Sequence, residues 1–150
     1  MGTHYRGTKE DRLTLDAFIK LTRASESLNR RLNQHLAEAD LTVSQFGVLE
    51  AIYHLGPLNQ KALCDKLLKT GGNITMVVDN LEKCHLVERQ QNPDDRRSML
   101  VHLTSRGEDF ISSFFPEHLE NIRQEFADLS SEEKKELARI CKKLGIKKEQ

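Results

Sequence analysis

Residues 86–104 read LVERQQNPDDRRSMLVHLT, and this stretch decides the fold. Two short β-prone runs flank Asn92-Pro93-Asp94-Asp95-Arg96-Arg97. Pro93 fixes φ for a turn, Asn92 and Asp94 are turn formers, and two adjacent arginines stand at the tip. The pattern predicts a β-hairpin over residues 86–103 that presents two guanidinium groups.

What precedes the hairpin is helical. In residues 73–84, Ile74, Val77, Val78 and Leu81 form one apolar stripe at i, i+3, i+4, i+7. The opposite face carries Asn73, Thr75, Met76, Asp79, Asn80 and Lys83. Thr70-Gly71-Gly72-Asn73 is expected to be a turn with two candidate caps, Thr70 and Asn73. Before it, residues 59–68 give a short helix with Ala62, Leu63, Leu67 and Leu68 apolar. Two short helices joined by a glycine-bearing turn, the second with a polar outer face, match a helix-turn-helix, and the hairpin supplies its wing.

Further out, Thr42-x-x-Gln45 is a capping box that opens a helix carrying Phe46, Leu49, Ile52 and Tyr53 inward. That helix stops at Leu55-Gly56-Pro57. Residues 11–38 read as a long helix with Leu15, Phe18, Ile19, Leu21, Leu28, Leu32 and Leu36 at roughly helical spacing. Its face suits either a core or a partner chain. Downstream, Thr104 is expected to cap a helix bearing Phe110, Ile111, Phe114, Phe115, Leu119, Ile122 and Phe126, which Pro116 is expected to kink or break near Phe115. Ser130-x-x-Glu133 opens the last helix, whose stripe of Leu137, Ile140, Cys141 and Leu144 is expected to be buried. Lys142, Lys143, Lys147 and Lys148 suit the C-terminal end of its dipole. The expected fold is mainly α with a small β-hairpin. Residues 1–150 form one domain, with a winged unit at 41–104. The helices at 11–38 and 105–146 are expected to pair with each other and with a second copy.

Composition narrows the function. The chain has 150 residues, 37% hydrophobic and 31% charged, with no Trp, which fits a helix-rich domain with wet faces. No apolar run reaches the length of a membrane span. The start, MGTHYRGTKEDR, lacks the apolar core of a secretory signal, and three cysteines without CxxC spacing point to a reducing cytoplasm. There is no GxSxG, P-loop, GxGxxG or HExxH, so an enzyme is not expected. The six histidines show no paired metal-ligand spacing, and neither metal nor cofactor is expected. Net charge is zero, 23 basic against 23 acidic, and residues 41–104 divide evenly as well. That balance favours a winged module that binds protein. The paired arginines and the polar helix face favour DNA.

Leu81-Glu82-Lys83, Leu86-Val87-Glu88-Arg89, Asp94-Asp95-Arg96-Arg97-Ser98 and Leu103-Thr104-x-x-Gly107 together resemble the MarR family of bacterial transcription regulators. The run Gly71-Gly72-Asn73-Ile74-Thr75 looks like a subgroup that senses quinones and phenols. The resemblance implies a homodimer, usually a repressor, that leaves a palindromic operator when a small phenolic ligand or an oxidant acts on it. It implies Arg97 in the minor groove, Arg96 at phosphate and Asp95 bracing the wing. The family usually has glycine where this chain has His85, a natural left-handed position that His occupies at some cost.

The residues expected at DNA are therefore Thr70, Asn73, Thr75, Met76, Asn80 and Lys83 on the helix and Arg89, Asp95, Arg96, Arg97 and Ser98 on the hairpin. Asn pairs well with adenine, and Met76 either meets a thymine methyl or is simply exposed. Asp79 is repelled by phosphate and is expected to orient an arginine such as Arg97. Cys64 reads as a small core residue and Cys141 as buried. Cys84, between Lys83 and His85, is expected to be exposed and is the candidate for a redox sensor. Redox-sensing relatives usually carry that cysteine in the first helix, where this chain has none.

Overall fold

The computed structural model describes residues 2–146. The order is α1 (Lys9–Glu38), α2 (Val43–Leu55), β1 (Leu58–Asn59), α3 (Gln60–Leu67), α4 (Gly71–Lys83), β2 (Val87–Asn92), β3 (Asp95–Leu103), α5 (Ser105–Glu125) and α6 (Ser131–Gly145). The fold is mainly helical with a small antiparallel sheet, as the hydrophobic pattern predicts. Lys147 and Lys148 lie outside the described residues.

Local chemistry sets most boundaries. Thr42 and Ser130 both complete reciprocal capping boxes, with Gln45 and Glu133. Gly56 ends α2 at φ +85° ahead of Pro57. Helices α1 and α4 both end in Schellman motifs. Leu41 N–H donates to Leu36 O and Asp40 N–H to Ala37 O; Leu86 N–H donates to Leu81 O and His85 N–H to Glu82 O. Asp40 and His85 are the left-handed residues, at φ +57° and +60°.

Four expectations are corrected. Thr70, not Asn73, caps α4: its hydroxyl accepts from Asn73 N–H, and Gly71-Gly72 form the first helical turn instead of a loop. Pro116 lies inside α5, which continues from Ser105 to Glu125 without the expected break. The pyrrolidine ring leaves the carbonyl of Ser112 without its helical donor, and a helix tolerates this where packing holds both halves. A third strand, β1, pairs Leu58 with Val101 and Asn59 with Leu100. Two residues are too short for an alternating pattern, so β1 left no signal in the sequence. Finally, α6 buries none of its stripe within the chain. Leu137, Ile140 and Leu144 are 39–49% exposed, and Cys141 is exposed too.

The core belongs to the winged unit. Val48, Leu49, Leu63, Ile74, Val78, Leu81 and Ile111 are fully buried, joining α2, α3, α4 and the start of α5. Each such side chain contributes roughly 1.5–3 kcal/mol by burial. Helix α1 adds only Leu36 to this core. Phe18, on its outer part, is 61% exposed.

The hairpin is fastened to α5 by the Leu103-Thr104-x-x-Gly107 run. Thr104 Oγ1 donates to His85 O at 2.6 Å and accepts from Gly107 N–H at 3.0 Å. Thr104 N–H donates to Leu86 O at 3.1 Å. A Cβ on residue 107 would stand 2.0 Å from that same Leu86 oxygen, so only glycine fits.

Candidate nucleic-acid interface

Helix α4 turns its apolar stripe inward and leaves Asn73, Thr75, Met76, Asp79, Asn80 and Lys83 exposed. Among the described residues, the side chains of Asn73, Met76, Asn80 and Lys83 make no hydrogen bond or ion pair. Thr70 and Thr75 differ, because their hydroxyls already have partners. Thr70 caps the helix. Thr75 Oγ1 donates to Gly71 O at 2.9 Å and accepts from Gln60 Nε2 at 2.8 Å. Gln60 Nε2 also reaches Gly71 O at 2.9 Å. Gln60 therefore ties the start of α3 to the start of α4 and fixes the helix-turn-helix angle.

The wing displays its arginines through an irregular register. The ladder pairs Gln91 with Met99 but Asn92 with Asp95, so Arg96, Arg97 and Ser98 have no partner across it. A bulge of this kind re-aims side chains. Asn92 Oδ1 accepts from Asp94 N–H at 3.0 Å, Asp95 Oδ1 accepts from Arg97 N–H at 3.0 Å, and Gln91 Nε2 donates to Arg96 O at 3.2 Å. Asp95 thus braces the wing tip. The guanidinium groups of Arg96 and Arg97 are exposed and form no ion pair among the described residues. Ser98 is half-buried beside them.

Arg89 departs from its expected place. Its guanidinium pairs with Asp79 at 2.8 Å and with Glu82, and it lies 3.4 Å from the Thr75 carbonyl. Only 24% of its side chain is exposed. Arg89 therefore holds the base of β2 to α4 and is not a free cation on the surface. Asp79 orients Arg89, not Arg97. Asp79 and Glu82, at i and i+3, put two carboxylates on one side of α4.

A second cluster lies where α1 meets α2 and α5. His118 is 6% exposed, and its ring lies 4.5 Å from Phe46 and 5.9 Å from His35. His35 stacks on Phe114 at 5.0 Å, which in turn stacks on Phe110. His118 Nδ1 and His35 Nε2 are buried and have no partner among the described residues. Burial pushes the His118 pKa down, and the neighbouring His35 adds to this. Arg31 and Glu125, paired at 2.6 Å, tie α1 to α5 nearby.

Cys84 is exposed at the end of α4, and Cys64 is half-buried against the core. Among the described residues no group of three or more His, Cys, Asp or Glu could hold a metal ion, and no helix is long and apolar enough to cross a membrane.

The profile of the MarR family matches residues 39–98. The HTH-type transcriptional regulator MhqR of Bacillus subtilis is 35% identical over 91% of this chain and 94% of its own length. The chain belongs to the MarR family. As a MarR-family protein it is a DNA-binding transcriptional regulator and not an enzyme. Among solved structures, AbsC from Streptomyces coelicolor shares the fold, with a TM-score of 0.83 at 20% identity over 94% of this chain and 96% of its own. A cysteine-to-serine mutant of MarR from E. coli, solved with operator DNA, has a TM-score of 0.74 at 27% identity, covering 83% of this chain and 89% of that one.

Proposed function

We propose that this chain is a homodimeric repressor. It reads a near-palindromic operator in double-stranded DNA and is released by a small phenolic or quinone-type ligand or by an oxidant. The observation that carries the DNA half is the bulged wing: Arg96 and Arg97 stand unpaired and exposed at the hairpin tip, on the unit that bears the open polar face of α4. Arg97 enters the minor groove, Arg96 meets phosphate, and Asn73, Met76, Asn80 and Lys83 face the major groove. Thr70, Thr75 and Arg89 serve the site from behind. Asp95 braces the tip, and Ser98 lies beside the arginines. The operator-bound MarR mutant supports this reading.

The dimer reading rests on apolar surface. Phe18 and Leu21 of α1 and Leu137, Ile140 and Leu144 of α6 are exposed within one chain, a pattern that suits cover by a second copy. A two-fold pair would set its two α4 helices roughly 34–36 Å apart, one turn of DNA. For the effector, the aromatic cluster of His35, Phe46, Phe110, Phe114 and His118 joins the dimerisation helix to the winged unit. An aromatic ligand that disturbs it would shift one against the other. The oxidant branch falls to Cys84; quinone treatment that leaves Cys84 unmodified and DNA affinity intact would remove it.

The test is a gel shift at moderate salt, on a duplex selected from a random pool. Arg97→Ala should still dimerise but lose about 1–3 kcal/mol of binding, roughly 5- to 150-fold. Unchanged affinity would sink the assignment. The rival, a protein-binding winged module, is favoured by the zero net charge and predicts no selectable duplex at all.

A further inference from the structure

We propose that Arg89 is a positioning residue for DNA recognition: with Asp79 and Glu82 as its seat, it sets the angle between the wing and α4. The proposal rests on the reading of the wing and α4 as the DNA interface. Three observations carry it. The guanidinium is bound on three sides, by two carboxylates of α4 and by the Thr75 carbonyl one turn earlier. The strand is held at the same point by its backbone, where Arg89 N–H lies 3.4 Å from Glu82 Oε2. And α4 keeps two carboxylates on or beside a surface meant for phosphates, with Asp79 50% exposed. Carboxylates there repel DNA unless they do something the interface needs.

The geometry gives the lever. Asn92, at the tip, is three residues beyond Arg89, about 10 Å along an extended strand. A swing of about 10° at Arg89 moves the tip by nearly 2 Å. That exceeds the spread of distances a hydrogen bond tolerates. Arg97 would then miss the minor groove even though α4 stays seated. The planar fork of Arg89 meets two carboxylates at fixed directions. A lysine could keep the charge but not that direction.

The experiment uses the full chain and a duplex selected from a random-sequence pool by the wild-type protein. Affinity is measured by fluorescence anisotropy, groove contacts by chemical footprinting, and folding by thermal melts. The double variant Asp79→Asn/Glu82→Gln removes two negative charges from the DNA side. Electrostatics alone predicts tighter binding, whereas the positioning role predicts about tenfold weaker binding. The footprint distinguishes positioning from general damage: minor-groove protection at the wing is lost while major-groove protection under α4 remains. Arg89→Lys, which keeps the charge, should show the same pattern, and it decides the matter alone if the double variant melts below assay temperature. Tighter binding by the double variant, or wild-type affinity in Arg89→Lys, would overturn the proposal. A wild-type chain that selects no duplex would overturn the interface reading and this proposal with it.

Discussion

Gly107→Ala tests the joint between wing and α5. The added Cβ would lie 2.0 Å from the Leu86 carbonyl oxygen and 2.9 Å from its carbon. Both are backbone atoms, so no rotamer change relieves the clash, and the first turn of α5 must retreat by about 1 Å to reach ordinary contact. Two hydrogen bonds cross that gap, Thr104 N–H to Leu86 O and Thr104 Oγ1 to His85 O. Losing both costs about 2 kcal/mol, and disturbing the Thr104 cap about 1 more. Alanine returns up to about 1 kcal/mol through its greater helix propensity. The net loss is about 2 kcal/mol, which lowers Tm by roughly 4–8 °C in a domain of this size. Gly72→Ala is the control: it meets nothing within 4 Å, and it should raise Tm slightly. Thermal melts followed by far-UV circular dichroism read both. A Gly107→Ala chain that melts at or above the wild-type temperature would refute the reasoning.

Three further outcomes follow from the same structure. His85→Gly removes a non-glycine residue from φ +60° and should gain about 1 kcal/mol, a Tm rise of roughly 2–4 °C; an unchanged melt would contradict it. His118 has a folded pKa below its ordinary value of 6.5, so the unfolded chain takes up this proton first and stability falls as pH drops from about 6.5 through the folded value. His118→Phe should flatten that part of the Tm profile between pH 7.5 and 5, and a profile parallel to wild type would argue against it. Leu137→Glu/Ile140→Glu places charge on the exposed stripe of α6. Sedimentation should give a folded monomer where wild type gives twice the chain mass; a double variant that stays dimeric would contradict the role given to α6.

What the sequence made legible was local. Thr42 and Ser130 announced helix starts because a cap and its partner sit three residues apart. The wing was readable because Pro93, Asn92 and Asp94 are turn formers and the arginines follow at once. Residue pairs distant in sequence were not readable. Glu82 and Arg89 are seven positions apart, and nothing in the order of side chains says that Asp79 chooses Arg89 over Arg97. His118 read as one histidine on a helix, because only folding brings it between Phe46 and His35. The bulge was likewise hidden. A strand of alternating residues shows no sign that Arg96, Arg97 and Ser98 lack partners across the ladder.

The central claim is that a chain of zero net charge grips DNA through two wing arginines and the open face of α4. Its most direct test is the affinity for the selected duplex as a function of salt, for wild type and for Arg96→Ala/Arg97→Ala. Each phosphate neutralised contributes about 0.9 to the slope of log affinity against log salt. Wild type should show a steep linear fall. The double variant should lose affinity and about 0.9 to 1.8 of the slope for each chain bound. A wild-type affinity that ignores salt, or a double variant with the wild-type slope, would contradict the account.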